Sequence, residues 1–181
     1  MAWWGHQIVS DAERPEWTLV PLKSVGPLQF GQSREEVAAA PREPIKAWDA
    51  RKYAQWFQFH GAGVDTYYDR ETDAPAAVAV DACRGPQVLF DGVRLVGRLP
   101  SELEPWIEKT APTLVDLPEY VDGLRFGGWG EPYLLGLGLV LRCQQNGDFA
   151  RTRPVFLASK WAMQGSENVE SLIPQMEWLT Y

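Results

Sequence analysis

Gly26-Pro-Leu-Gln-Phe-Gly-Gln-Ser33-Arg-Glu-Glu36-Val37 is the most explicit local instruction in the chain. A looser version returns at Gly97-Arg-Leu-Pro-Ser101-Glu-Leu-Glu104. Ser33 with Glu36, and Ser101 with Glu104, each have the spacing of a capping box. The hydroxyl accepts the N3 amide and the carboxylate three residues on accepts the cap amide, so a helix starts at a fixed residue. Strand-like sequence follows each box. The expected fold is therefore α+β, built as two similar halves, each a short capped helix packed on a small antiparallel sheet. The expected divisions are an N-terminal arm and edge strand over residues 1–24, a first half over 25–97 and a second over 98–181, packed as one compact unit.

Outward from the first box, a helix is expected from Arg34 to Ala40, ended by Pro41 and Pro44. Trp17 to Leu22 reads as an edge strand, because Pro21 cannot donate to a ladder. Tyr53–His60, Val64–Asp69, Ala76–Cys83 and Gln87–Leu95 read as an antiparallel meander, with Asp91-Gly92 as a tight hairpin turn. The second helix is expected over Glu102 to Thr110, with Leu103, Trp106 and Ile107 on one stripe and Pro105 in the first turn. Tyr133 to Cys143 reads as one alternating strand, Gly136 and Gly138 sharing a face. Asn146-Gly147 then turns it back into Phe149–Leu157, and a short helix is expected near Val169–Ile173.

Net charge is −7, which disfavours phosphate-backbone binding and suits a basic partner, or simply solubility. Nine tryptophans are more than a core of this size readily hides, which suggests an aromatic contact surface. Cys83 and Cys143 form no CxxC pair; buried thiols are expected, with a bridge between strands left open. The start of the chain lacks the pattern of a secretory signal, and no apolar run reaches the roughly 20 residues of a membrane span, so a cytoplasmic location is expected.

No catalytic motif rises above chance. The chain has two histidines, His6 and His60, and no serine in a GxSxG elbow. His60, Asp65, Asp69 and Asp81 converge only if adjacent strands align, and they match no ligand pattern, so neither metal nor cofactor is expected. Asp65 and Asp69 lie i,i+4 on a strand, roughly 13 Å apart, too far to act as a hydrolytic carboxylate pair. The runs Gly127-Gly128-Trp129-Gly130 and Gly136-Leu-Gly138 do not open a helix after a strand and are not phosphate loops.

The more coherent constellation is a sheet face. If Tyr53, Phe57, Phe59, Val64, Tyr68, Val78 and Val80 point to the core, alternation sends the other set to the opposite side. That set is Trp56, Gln58, His60, Asp65, Tyr67, Asp69, Ala77, Ala79 and Asp81. Aromatic rings would carry the binding energy and the aspartates would select a basic partner. The expected partner-binding residues are Trp56, His60, Asp65, Tyr67, Asp69 and Asp81. The competing reading is a face covered by the rest of the chain.

Gly31, Ser33, Glu36 and Val37, echoed by Gly97, Ser101 and Glu104, resemble the unit of β-lactamase-inhibitor-protein-like modules and of the small outer-membrane-assembly lipoprotein. The resemblance implies short helices on small antiparallel sheets, two units in tandem in the inhibitor. No signal sequence, lipobox cysteine or disulfide framework accompanies it, so the extracellular and lipoprotein roles do not carry over. The acidic, tryptophan-rich character also resembles small actinobacterial immunity-type proteins, which implies a binder that occludes a toxin. The expected function is thus a non-enzymatic protein-binding module of immunity or inhibitor type, holding a basic partner such as a toxin domain through an aromatic–acidic sheet face. Two other readings compete. One is a small biosynthetic or tailoring enzyme with a pocket between the halves lined by Trp106, Trp129, Tyr133 and His60. The other is a structural or small-ligand-binding protein whose tryptophans are all core.

Overall fold

The structure is a computed structural model that describes residues 8–40, 56–59, 63–69, 71–110, 124–126 and 131–163. Its architecture is mixed α+β and mostly β. Two sheets share one core. The five-stranded sheet, of strand order β3-β2-β1-β7-β8, comprises β1 (Glu16–Val20), β2 (Ser24–Val25), β3 (Leu28–Gln29), β7 (Gln87–Phe90) and β8 (Val93–Arg94). The seven-stranded sheet, of order β4-β5-β6-β12-β11-β10-β9, comprises β4 (Trp56–Phe59), β5 (Val64–Tyr68), β6 (Pro75–Val80), β9 (Leu124–Phe126), β10 (Pro132–Leu134), β11 (Leu139–Asn146) and β12 (Phe149–Leu157). Helices α1 (Arg34–Ala39) and α2 (Pro100–Thr110) join the core between the sheets, and α3 (Ser159–Met163) lies at the end of β12.

The expected division at residue 97 is not a division of sheets. β6 pairs with β12, through Val155↔Ala79 and Phe156↔Val78, so strands from both stretches form one ladder. The meander is real over β4, β5 and β6. Its fourth member leaves: β7 and β8 belong to the other sheet, where β7 runs parallel to β1. Their Asp91-Gly92 turn has both residues at positive φ, as a type I′ hairpin requires. β1 is interior to its sheet rather than an edge, because Pro21 falls in the turn after it and removes no ladder donor.

The first capping box forms as read. Ser33 accepts from the Glu36 amide and the Glu36 carboxylate accepts from the Ser33 amide, starting α1. The second does not. α2 begins at Pro100, where a missing N–H costs nothing, and Glu102 accepts the Leu99 amide at 3.0 Å. Ser101 therefore sits inside the helix, and Pro105 lies beyond its first turn.

Tyr133–Cys143 is not one strand. β10 ends at Leu134, a 3₁₀ turn covers Leu135–Leu137, and Gly138 reverses the chain with φ 61° into β11. A Cβ on Gly138 would stand 2.6 Å from the Leu157 carbonyl oxygen, so the reversal needs glycine. The β11–β12 hairpin is the longest among the described residues, with eight registered pairs from Leu139↔Phe156 to Asn146↔Phe149. Its turn is Gly147-Asp148 rather than the expected Asn146-Gly147, because Asn146 still pairs with Phe149; Gly147 takes the first position at φ 62°.

Alternation along the seven-stranded sheet separates two cores. Val64, Tyr68, Val78, Val80, Leu139, Leu141 and Phe156 enter the core shared with Leu19, Val88, Val37, Leu103 and Ile107 of the five-stranded sheet and helices. Tyr67, Ala77, Ala79, Tyr133, Val140, Val155 and Leu157 form a second core on the opposite face, with Ala162 of α3 in it and Trp161 packed against it.

Candidate interaction surface

The second face of the seven-stranded sheet changes character along its length. Near α3 it is apolar and closed, and the Tyr133 hydroxyl donates to the Ala162 carbonyl at 2.6 Å, tying the helix down. Further along the same strands it becomes ionic. Arg153 on β12 pairs with Asp65 on β5 at 2.7 Å and stands 3.8 Å from Asp81. Gln144 on β11 donates to Asp81 at 3.1 Å and accepts the Ala82 amide. Arg142 sits directly opposite Arg153 in register, with its side chain buried and Glu131 at 3.6 Å. Like charges facing across a ladder repel, so each arginine needs its own carboxylate.

Asp81 also caps its turn, accepting the Cys83 and Arg84 amides at 2.9 Å each. Burial pushes its pKa up, but those two amides, the Gln144 amide and the Arg153 charge together outweigh it and hold the carboxyl below the usual range. Asp69 follows the same logic. Burial raises it, and Lys160 at 2.8 Å with the Glu71 and Thr72 amides brings it below the usual range. Both carboxylates stay ionised near neutrality and are poor proton acceptors. Both thiols are free, and burial pushes each one up, which makes them poor nucleophiles.

The arm before β1 is anchored by Arg14. Its guanidinium donates to the Ala82 and Cys83 carbonyls at 2.9 Å and to the Gly85 carbonyl at 3.1 Å. Beside it Arg98 holds both oxygens of Asp11. Docking of the described part of the arm thus rests on charged groups; Trp3 and Trp4 lie outside the described residues.

Of the residues expected to hold a partner, Tyr67 is corrected most clearly. It is 2 % exposed, enclosed by the second core. Alternation assigned it to the right face, but β12 extends the sheet beside β6 and α3 covers that end, so the face is not open there. Asp69 is also buried and holds its own turn together. Asp65 and Asp81 are on the expected face, engaged with Arg153. Trp56 pairs with Tyr67 in the β4–β5 register; its side chain, and His60, lie outside the described residues. The expected pocket does not assemble either. Trp106 packs edge-on against Phe90, centroids 6.4 Å apart, at the first core, whereas Tyr133 belongs to the second, across the sheet. Trp129 lies outside the described residues.

Arg153, Gln144 and Phe149 were missed. For the first two, period-two spacing along β11 and β12 carried the signal, since residues 142, 144, 151 and 153 share the face of Val140 and Val155. Phe149 carries the signal of an aromatic beside a two-residue turn, and it is 59 % exposed. Among the described residues no group of three or more His, Cys, Asp or Glu side chains is placed to hold a metal ion. No helix among them is long and apolar enough to cross a membrane. Comparison with family models, with curated proteins and with solved structures finds no match.

Proposed function

We propose that this chain is a non-enzymatic protein-binding module of the immunity or inhibitor kind that holds a basic partner. The observation that carries the reading is how its charges are used. The described cations are largely consumed inside the fold: Arg34 on Asp73, Arg94 on Glu16, Arg98 on Asp11, Arg142 on Glu131, Arg153 on Asp65 and Lys160 on Asp69. Glu35, Asp91, Glu104, Glu108 and Asp148 are exposed and enter no ion pair among the described residues. These described carboxylates face solvent in a chain of net charge −7, where they attract and orient a cationic protein. The reading does not need the two stretches of the chain to be repeats. Nor does it need Tyr67 at the surface.

The test is recovery of proteins from the native host on the tagged chain, followed by purified binding. The expected partner has a basic isoelectric point, and its binding weakens at least tenfold between about 50 and 300 mM salt. The double variant Glu104→Lys/Glu108→Lys should weaken it further. A partner that is acidic, or binding insensitive to salt, contradicts the proposal.

A further inference from the structure

We infer that the tip of the β11–β12 hairpin is the anchor of that contact, Phe149 entering an apolar cleft on the basic partner while Asp148 meets a cation at the cleft's rim. The inference rests on the binding reading above and adds the contact element to it. Scattered exposed apolar side chains are ordinary, so the case depends on how this one is held. Phe149 is the most exposed large apolar side chain among the described residues, ahead of Ile8 and Val20.

The hairpin carries its tip beyond the neighbouring strands. β6 pairs with β12 only over Val155–Leu157, and β10 pairs with β11 only at Leu139 and Val140. The Gly97 and Arg98 backbone braces β12 at Thr152, through Gly97 N–H to Thr152 C=O at 2.9 Å and Thr152 N–H to Arg98 C=O at 2.8 Å. Residues 146–150 project past that brace. An unbroken ladder below them leaves little backbone freedom to lose on binding.

The ring itself is steadied. The Arg151 guanidinium stands 5.8 Å from the Phe149 centroid, while Ala150 between them is small and exposed. Asp148, next to the ring and exposed, is not in an ion pair among the described residues. An aromatic anchor beside a carboxylate fits an apolar pocket with a Lys or Arg on its rim.

The experiment replaces Phe149, and separately Glu108 on α2, with the photo-cross-linker p-benzoylphenylalanine in the full chain, irradiated in the native host. A basic protein cross-linked from position 149 is then purified and titrated calorimetrically. Phe149→Ala should weaken binding about 30-fold, Asp148→Lys about tenfold, and Phe149→Trp by less than about threefold. Because the ring is exposed, the urea midpoint of Phe149→Ala should match the parent, which separates contact from folding. A basic protein captured from position 108, whose affinity Phe149→Ala leaves unchanged, sinks the hairpin anchor and leaves the binding reading standing. Capture of no basic protein from either position sinks both. Capture of a second copy of the chain overturns the inference in favour of self-association.

Discussion

On β6, Val78 and Val80 enter the core shared with the five-stranded sheet, while Ala77 and Ala79, one residue away, lie against Tyr67 and Tyr133 on the other side. The first face is built mainly of branched aliphatics, with Tyr68 and Phe156 among them. The second is apolar near α3 and ionic beyond it, where Asp65, Arg153, Asp81 and Gln144 close a network. Pleat parity decides which side a residue takes. What covers that side is decided by strands far away in sequence, and it is coverage that separates a core tyrosine from a docking tyrosine.

The contrast is open to attack in several ways. Phe156→Ala, on the first face, should cost about 3–5 kcal/mol, read as a drop in the urea midpoint at unchanged slope. Arg153→Met removes the cation from two largely buried carboxylates on the second face. It should cost about 2–3 kcal/mol, less than breaking a fully buried pair, because some solvent reaches these groups. A larger loss from Arg153→Met than from Phe156→Ala would mean that stability resides in the ionic face. Tyr133→Phe leaves the buried Ala162 carbonyl without its hydroxyl donor and should cost about 1–2 kcal/mol, with earlier proteolysis after α3. Ser33→Ala should cost about 1 kcal/mol or less by breaking the box at α1.

Acid offers a gentler probe of the same ionic groups. Asp11, Asp69 and Asp81 all titrate below their ordinary value of 3.8 in the folded chain. Their stabilising contribution is complete above that value and is lost as pH falls through the lower folded ones. Stability should therefore be flat with respect to these groups from about pH 5 to 7 and fall below about pH 4. An Asp81→Asn variant should show a shallower fall.

Much of the local structure was legible in the sequence. Ser33 and Glu36, the Asp91-Gly92 turn and the β11–β12 hairpin each rest on chemistry within a few residues, and each formed. The Ser101 box failed because Pro100 suits the first helical position, which moved the cap back to Leu99. The alternation of Val64, Tyr68, Val78 and Val80 against Tyr67, Ala77 and Ala79 was also legible, since it needs only the pleat. The exposure of the second set was not. It depends on Val155↔Ala79 pairing between strands far apart in the chain and on α3 arriving over Tyr133, and nothing local to β5 or β6 announces either. The partners of Asp65 and Asp81 were hidden for the same reason. Arg153 lies on a strand whose neighbour is fixed by topology rather than by spacing.

The most direct test is tyrosine nitration of the native chain by tetranitromethane, mapped residue by residue with mass spectrometry. A sheet covered on both faces leaves Tyr67, Tyr68 and Tyr133 unmodified until urea unfolds the chain, because all three are buried. Nitration of Tyr67 in the native state at the rate of the unfolded chain would show that face open to solvent, and would return the partner contact to the sheet.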